Sequence, residues 1–314
     1  MSFETRRIAP TAWLILLSLI MLLAACNKKA EEPSIRVFAS PDDAGNALLE
    51  GAKSGDQNAV LAIFGPESKE IISSGDAVQD KAMVNAFVFA YGVMHRWRKM
   101  GDGAQILLIG ADNFAFPIPL KRNTAGQWYF DAAAGKDEIL ARRIGRNELA
   151  AIDACAALAD AQAEYFSQRR DGGSAKQYAV KFISDPGKQN GLYWESPEGQ
   201  PKSPLGPMAA FATAEGYTAK PNSHLPFHGY YFRMLTRQGS HAQGGAKDYM
   251  VNGKLVGGFA LVAYPAEYRN SGVMTFIINQ DGVLFQKDLG TTTTDTANAM
   301  SEFDPDASWR AVGP

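Results

Sequence analysis

Cysteine and histidine are scarce in this sequence, which holds two cysteines and four histidines among 314 residues. The cysteines are Cys26 and Cys155. Because Cys26 is expected to be acylated, as argued below, Cys155 has no partner for an internal disulfide. The neighbours of Cys155 are small and apolar, which predicts a buried helix residue acting as a small hydrophobe rather than a nucleophile.

An excess of charge of either sign is also missing. The chain has 31 Lys and Arg against 33 Asp and Glu, for a formal net charge of −2. Binding to phosphates needs a surface rich in Lys and Arg, so nucleic acid is not an expected partner. The one basic cluster, Arg142, Arg143 and Arg146, alternates with apolar residues and is interpreted as the solvated face of a helix.

Sequence motifs for nucleotide cofactors and for an activated serine are absent. We find no P-loop, no dinucleotide-binding glycine pattern and no G-x-S-x-G sequence. The sequence therefore predicts no cofactor. Hydrophobic residues at 46% and charged residues at 20% are nevertheless typical of a globular chain with a core.

The longest apolar run near the start, residues 11–23, is too short to span a bilayer, which takes about 20 residues. It follows Arg6 and Arg7 and precedes small residues, as in a secretory signal. The sequence Leu-Ala-Ala-Cys at 23–26 resembles the lipobox of bacterial lipoproteins. This resemblance implies a signal peptide at 1–25, cleavage between Ala25 and Cys26, and lipid on the Cys26 thiol. An ordinary signal peptide with a chance cysteine is the alternative.

A short charged segment follows the cysteine. Residues 26–34 contain no long apolar side chain and are predicted to form a disordered tether. Asn27, by resemblance to enterobacterial sorting signals, favours the outer membrane over the inner one. We therefore expect an exported lipoprotein that is attached to a membrane and faces the periplasm.

Residues 35–134 predict a helix-then-strand domain. Ser40-Pro41 and Asp56 are helix starts, and Asp80 is predicted to open a helix over 81–100 whose buried face carries Met83, Phe87, Tyr91 and Met94. Strands are predicted at 104–110, 114–120 and 127–131, with Pro117 and Pro119 indicating an edge or bulged strand.

This order of elements, which ends in a Gly-x-Trp-x-Phe-Asp sequence, resembles the cystatin-like α+β cone shared with nuclear transport factor 2. The resemblance implies a pocket at the mouth of the cone, with an Asp/His pair inside it in a catalytic version. His95 is the only histidine of this half. It is interpreted as a favourable charge at the carboxyl end of a helix.

Residues 135–314 predict a second domain built on a long helix over 135–168. Its predicted buried stripe is Leu149, Ile152, Ala156, Ala159, Ala163 and Phe166. A short strand is expected near 176–184, and strands at 228–239, 255–265, 271–278 and 283–290 predict an antiparallel meander, with a hairpin turn at 279–282. The whole chain is thus expected to be α+β, and this half resembles the globular head of type IV pilins and pseudopilins. The charged start of the helix argues against filament building by the pilin mechanism.

Four segments together resemble one bacterial family, domain of unknown function 2950. They are residues 144–152, 228–239, 257–276 and 281–290. This resemblance covers essentially all of the chain after the signal peptide. It implies no reaction, cofactor or catalytic residue.

Two groups of residues are candidate sites. His224 and His228 lie four residues apart, with Asp248 downstream, and could serve a metal or a hydrolase, although Pro226 argues against the helix that a zinc pair would need. Asn279, Asp281 and Asp288 offer oxygens to calcium, but the six to eight oxygens that calcium prefers are not visible locally. Ordinary loop and turn residues are the preferred interpretation of both groups.

We therefore expect a lipid-anchored envelope protein that works as a non-enzymatic binding or interaction module for a periplasmic or membrane partner. One alternative is an envelope hydrolase that uses the pocket of the first domain or His224, His228 and Asp248. A second alternative is a binder of small ligands or peptides at the mouth of the cone.

Overall fold

The computed structural model describes residues 35–170, 175–200, 202–218 and 225–313. The predicted signal peptide, its cleavage site at Ala25 and Cys26, and the predicted tether lie outside the described residues, as does His224. Within the described part of the chain, no helix is both long and apolar enough to cross a bilayer.

The first half begins with helices whose ends follow capping rules. They are α1 (Pro41–Ser54), α2 (Gln57–Phe64), α3 (Lys69–Ile72) and α4 (Ala77–Val93). The Ser40 side chain accepts a hydrogen bond from the backbone of Asp43, and Gly55 ends α1 in the left-handed conformation. Asp56 caps α2 in the same way.

Helix α4 differs from its prediction at both ends. It is capped by Asp76 rather than opened by Asp80, and it stops at Val93 instead of continuing to 100. Residues His95–Lys99 form strand β1. The prediction that His95 lies at the end of a helix is therefore wrong. The physical reason is tertiary: all five residues from His95 to Lys99 pair with β2, and only Trp97 among them is partly buried.

The first sheet is antiparallel and ordered β1-β2-β4-β5, with β3 also paired to β2. Its further strands are β2 (Gln105–Ile109), β3 (Phe114–Ala115), β4 (Leu120–Arg122) and β5 (Trp128–Phe130). The strand predicted over 114–120 is split in two, because Pro117 and Pro119 cannot donate to a ladder. Phe38, Phe64, Phe130 and Trp128 fill the core between this sheet and α1–α2.

The long helix α5 (Ala132–Ser167) has 36 residues and is capped by Asp131. It was predicted correctly in position, but only half of the predicted buried stripe is correct. Ile152 and Ala159 pack against the core and Phe166 is half-buried, whereas Leu149 is 65% exposed and Ala156 and Ala163 are exposed as well. The buried residues of the helix instead include Cys155, Leu158, Gln162 and Tyr165. An alanine-rich helix offers apolar residues on several sides, so its periodicity does not select one face.

A second antiparallel sheet follows in the order β14-β13-β12-β11-β6. The long strands are β6 (Tyr230–Leu235), β11 (Ala260–Pro265), β12 (Met274–Asn279) and β13 (Phe285–Asp288), with β14 (Arg310–Ala311) at the edge. Strand β11 is buried along its whole length, since α5 and α7 (Thr293–Ala299) both pack on it. Gly282 takes a φ of 75° in the predicted hairpin turn and donates to the carbonyl of Asn279.

The remaining elements are short. They are α6 (Gly206–Glu215), β7 (Arg237–Gln238), β8 (Lys247–Asp248), β9 (Met250–Val251) and β10 (Lys254–Leu255). The strand predicted near 176–184 is wrong, because that segment has only a single bridge between Ile183 and Tyr193. The mixture of helices and antiparallel sheets confirms the α+β class. The predicted boundary between 134 and 135 falls inside the first turn of α5 and stays a prediction.

Candidate functional site

A buried polar cluster joins the two halves of the chain at the start of α4. We call it the polar junction and define it by Asp76, Arg143, Asn147, Tyr217, Asn270 and Ser271. Most of these side chains are buried, and they come from four separate stretches of sequence. Because buried polar groups need partners, each contact here restricts how the stretches meet.

Asp76 is at the centre of the polar junction and is only 1% exposed. One carboxylate oxygen accepts from the backbone of Val78 and Gln79, each at 3.1 Å, and so caps α4. The other accepts from the Tyr217 hydroxyl at 2.7 Å and from the backbone of Gly229 at 3.0 Å. Burial, together with the Asp76 carboxylate, raises the pKa of Tyr217, which keeps this hydroxyl a donor.

Arg143 supplies the cation of the polar junction and is 7% exposed, so its predicted place on a solvated helix face is wrong. Its guanidinium donates to the carbonyls of Glu70 at 2.8 Å and Ile71 at 2.6 Å, at the end of α3. It also donates to the carbonyl of Ser73 and to the side-chain oxygen of Asn270. Burial lowers the pKa of Arg143. A planar fork of five donors suits this set of diverging acceptors.

Asn147 links α4 to the loop between β11 and β12. Its side-chain oxygen accepts from Gln79 at 2.8 Å, and its amide nitrogen donates to the carbonyl of Ser271 at 2.8 Å. A Cβ atom on Gly229 would lie 2.5 Å from that amide nitrogen, and Gly229 has a φ of 73°. Only glycine fits this position, which explains why a glycine lies between His228 and Tyr230.

The chemistry of the polar junction is structural. The Asp76 carboxylate accepts four hydrogen bonds from within the protein. Because a general base needs a lone pair that faces a substrate, Asp76 is not placed to act as one. The Arg143 guanidinium is likewise directed at backbone carbonyls. We infer that the polar junction holds α3, α4, α5 and the β11–β12 loop together.

His228 lies at the edge of the polar junction, in a strained backbone conformation with a φ of 49°. Its Nε2 lies 2.9 Å from the Glu215 carboxylate at the end of α6, and both side chains are partly exposed. Asp248, proposed above as its partner in a hydrolase, lies instead in β8 and accepts from the backbone of Met250. The structure thus brings His228 to Glu215, a residue that the sequence did not suggest.

The proposed calcium ligands lie at opposite ends of the β12–β13 hairpin. Asp281 accepts from the Asn279 side chain in the turn, whereas Asp288 accepts from Tyr268 and from the backbone of Gly290. Across the described ranges, no group of three or more His, Cys, Asp or Glu side chains is placed to hold a metal ion.

The remaining single candidates have structural surroundings. Cys155 is fully buried, as predicted, and burial raises the pKa of its thiol to about 12. The ring of His95 stacks on Tyr91 with centroids 4.0 Å apart, and its Nδ1 lies 3.0 Å from the Tyr91 carbonyl oxygen. Its predicted role at a helix end is replaced by this contact at the start of β1.

Helix α4 carries an exposed apolar surface that sequence reasoning missed. We call it the α4 face and define it by Ala82, Met83, Ala86, Phe89 and Val93. All five are exposed, and the exposed fraction of the Phe89 side chain reaches 74%. Residues 82, 86, 89 and 93 follow a spacing of four, three and four, which places them along one side of a helix. The opposite side packs on the first sheet through Phe87 and Tyr91.

The α4 face left a signal in the sequence. The helix is apolar on nearly every side, and such helices are normally buried all round. The prediction assigned Met83 to the buried face, but Met83 is 47% exposed. The excess of apolar residues over what one buried face requires was the available clue.

A groove of about 540 Å³ lies between α1 and α2, next to the first described residues. Apolar and charged side chains line it together, chiefly Arg36, Phe38, Asn46, Ala47, Glu50 and Ile63. Its volume is in the range of small-ligand sites, which are about 300–1,000 Å³.

Comparison with known proteins identifies one family. Residues 35–312 match the family described as "Protein of unknown function (DUF2950)". No curated protein and no solved structure matches the chain.

Proposed function

The chain belongs to the DUF2950 family of proteins of unknown function, and we propose that it is a lipid-anchored envelope protein that works as a non-enzymatic interaction module. Its contact surface in this proposal is the α4 face. The single observation that carries the proposal is the exposure of Phe89 and its neighbours on a helix that is apolar on nearly every side.

The α4 face exposes apolar side chains to water. The largest contiguous apolar patch on a protein surface is often a place where another surface binds. An aromatic side chain such as Phe89, surrounded by small residues, is the kind of group that anchors an interface. The polar side chains of Tyr217, Arg143 and Asn147 are meanwhile hydrogen-bonded within the polar junction.

The location in this proposal rests on the sequence. The lipobox at 23–26 would place diacylglycerol on Cys26, and Asn27 would favour the outer membrane. The eight residues 27–34 could then span at most about 30 Å, so the folded part would remain close to a bilayer on the periplasmic side.

The finer fold assignment belongs to the proposal as well. We propose that the first half is a cystatin-like cone and that α5 with the second sheet is a pilin-head-like unit. The order of helices before an antiparallel sheet supports the first assignment, and a long helix against an antiparallel meander supports the second.

Mass spectrometry of the protein purified from bacterial membranes tests the location. We expect the mature chain to begin at Cys26 and to carry the added mass of its acyl groups. A chain that begins elsewhere, or a Cys26 without lipid, would refute the lipid anchor.

Thiol labelling in isolated envelopes tests the contact surface without assuming what covers it. We expect a cysteine introduced as Ala86→Cys to be protected in envelopes and reactive in the purified, detergent-solubilised protein. Ala163→Cys, on an exposed position of α5, is the matched control and should react in both states. Cys155 gives no background because it is fully buried. Equal reactivity of position 86 in both states would contradict the proposal.

A second candidate function is favoured by the groove between α1 and α2. A small ligand or peptide could bind there through the carboxylate of Glu50 and the ring of Phe38. Native mass spectrometry of the purified protein would detect a retained ligand, and Ala47→Trp, which fills the groove, should abolish it. A wild-type chain that carries nothing, or a ligand that the variant retains equally, would contradict this candidate.

A further inference from the structure

Two Asn-Gly sequences occur in the chain, Asn190-Gly191 and Asn252-Gly253. In such a pair the backbone nitrogen of the glycine can attack the side-chain amide of the asparagine, because glycine has no Cβ atom to hinder the approach. We propose that Asn252 is a site of spontaneous covalent modification, at which the amide is converted to a carboxylate, and that the fold protects Asn190 from the same reaction. Neither the lipid anchor nor the α4 face is involved.

The reaction at Asn252 is intramolecular, and water is its only co-reactant. The backbone nitrogen of Gly253 gives up its proton and bonds to the side-chain carbonyl carbon of Asn252. The bond from that carbon to Nδ2 breaks, and the Nδ2 group takes up the proton and leaves as ammonia. Water then opens the resulting five-membered imide ring at either of its two carbonyl carbons. One opening gives an aspartyl residue with a normal backbone, the other gives an isoaspartyl residue whose chain runs through the side chain, and nothing is oxidised or reduced.

The turn that contains Asn252 leaves both reacting groups free. Asn252 and Gly253 are the two central residues of the β9–β10 hairpin, in which Val251 pairs with Lys254. Their φ values of 49° and 76° are those of a type I′ turn. Both residues are exposed. Within the part of the chain that the structure describes, neither the Asn252 amide nor the Gly253 N–H has a hydrogen-bond partner, so only water contends with the attack.

Asn190 has the same following residue but the opposite surroundings. Its side-chain oxygen accepts from the backbone of Asp185 at 2.9 Å, and its amide nitrogen donates to the Asp185 carboxylate at 2.8 Å. The Gly191 N–H donates to the Ser184 hydroxyl at 2.9 Å. Gly191 is buried, and a Cβ atom there would lie 2.6 Å from the backbone of Ile183 and Ser184. Attack at Asn190 would therefore break three hydrogen bonds and move a tightly packed backbone.

The modification would change both the charge and the geometry of the hairpin. It adds one negative charge to a chain whose formal net charge is −2. The isoaspartyl form also lengthens the backbone inside a two-residue loop, and the length of such a loop fixes the register of its strands. Strand β10 is held to the core, since Leu255 is fully buried and its carbonyl accepts from the backbone of Tyr178 at 2.8 Å. The pairing of β9 with β10 should therefore weaken while the core is kept.

Timed incubation of the purified full-length protein in mildly alkaline buffer tests the inference. Protease digestion and mass spectrometry measure, in one sample, the fraction of each asparagine that has gained the mass difference between an amide and an acid. In the folded protein we expect Asn252 to react at least about tenfold faster than Asn190, a ratio that corresponds to about 1.4 kcal/mol in activation free energy. In guanidinium chloride the two rates should become nearly equal, because the protection of Asn190 is lost with the fold.

Two variants separate the local chemistry from folding. Ser184→Ala removes the acceptor of the Gly191 N–H and should raise the rate at Asn190 without changing the rate at Asn252. Gly253→Ala places a Cβ atom beside the attacking nitrogen and should slow the reaction at Asn252 in the folded and in the unfolded chain. Amide hydrogen exchange of the wild-type protein needs no substitution, and it should show a protected N–H at Gly191 and a rapidly exchanging one at Gly253.

Three outcomes would overturn the inference. The first is an Asn252 that stays intact in the folded protein under conditions that modify it in guanidinium chloride. The second is an equal rate at Asn190 and Asn252 in the folded protein. The third is an N–H of Gly191 that exchanges as fast as that of Gly253.

Discussion

Replacement of Arg143 by methionine should destabilise the fold far more than its position on a helix surface would suggest. The substitution keeps most of the side-chain volume and removes the guanidinium. It would leave the carbonyls of Glu70 and Ile71 and the side-chain oxygen of Asn270 without their donor. These acceptors are in the polar junction, where water does not replace the lost donor.

The expected cost follows from the number of bonds that are lost. A hydrogen bond to a charged group contributes about 1.5–3 kcal/mol, and removal of one partner from a buried charged network costs about 3–5 kcal/mol. We therefore expect the free energy of unfolding to fall by about 3–5 kcal/mol. With a urea dependence of about 3 kcal/mol per molar, the unfolding midpoint should move down by about 1–1.7 M.

Urea unfolding followed by tryptophan fluorescence measures this effect, and Lys136→Met provides the control. Lys136 is on the same helix and binds the Glu70 carboxylate at 2.7 Å, but both of these side chains are well exposed. Exposed pairs contribute little to stability, so this variant should unfold close to the wild-type midpoint. Equal shifts for the two variants, or a wild-type midpoint for Arg143→Met, would refute the assignment of Arg143 to a buried structural role.

Three further predictions concern single residues. Gly229→Ala should lower the free energy of unfolding by more than Gly245→Ala does. Both glycines have positive φ values, which strain alanine by about 1–3 kcal/mol, but only at Gly229 would the added Cβ atom meet a neighbour, the amide nitrogen of Asn147. Equal urea midpoints for the two variants would contradict this prediction. The Cys155 thiol, with its pKa raised by burial to about 12, should react with a thiol reagent only after unfolding, and rapid reaction of the native protein would show that it is accessible. The Asp304 carboxylate raises the pKa of His241, so the pair should stabilise the fold at acid pH and lose this effect as pH rises through the raised pKa. His241→Gln should therefore lower the urea midpoint at about pH 5 but not at about pH 8. An equal change at both pH values would contradict the pairing.

The start and end of α4 illustrate how local signals mislead. Asp76 and Asp80 are both plausible caps, and the choice depends on Tyr217 and Gly229, which lie far away in sequence. The end of the helix depends on pairing with β2, which converts residues 95–99 into a strand. Periodicity over one segment contains no information about such partners.

The polar junction shows why the candidate site was not found from the sequence. The junction residues Asp76, Asn147 and Ser271 come from separate segments, and none of them belongs to a spacing that indicates a site. Arg143 belongs to a basic cluster with Arg142 and Arg146 that alternates with apolar residues, so the sequence favoured a solvated interpretation. Burial of a polar side chain is decided by what packs over it, and that is a property of the assembled chain.

The sequence alone determined the α+β class, the long helix, the hairpin turn at 279–282, the burial of Cys155 and membership in the DUF2950 family. These features follow from local backbone preferences, from small apolar neighbours and from motif order, all of which can be read along the chain. Tertiary structure decided which side of α5 faces the second sheet, which residues close the polar junction, and that α4 leaves Phe89 exposed. Each of these depends on contacts between segments distant in sequence, and apolar residues spread around a helix do not specify which of them will be covered.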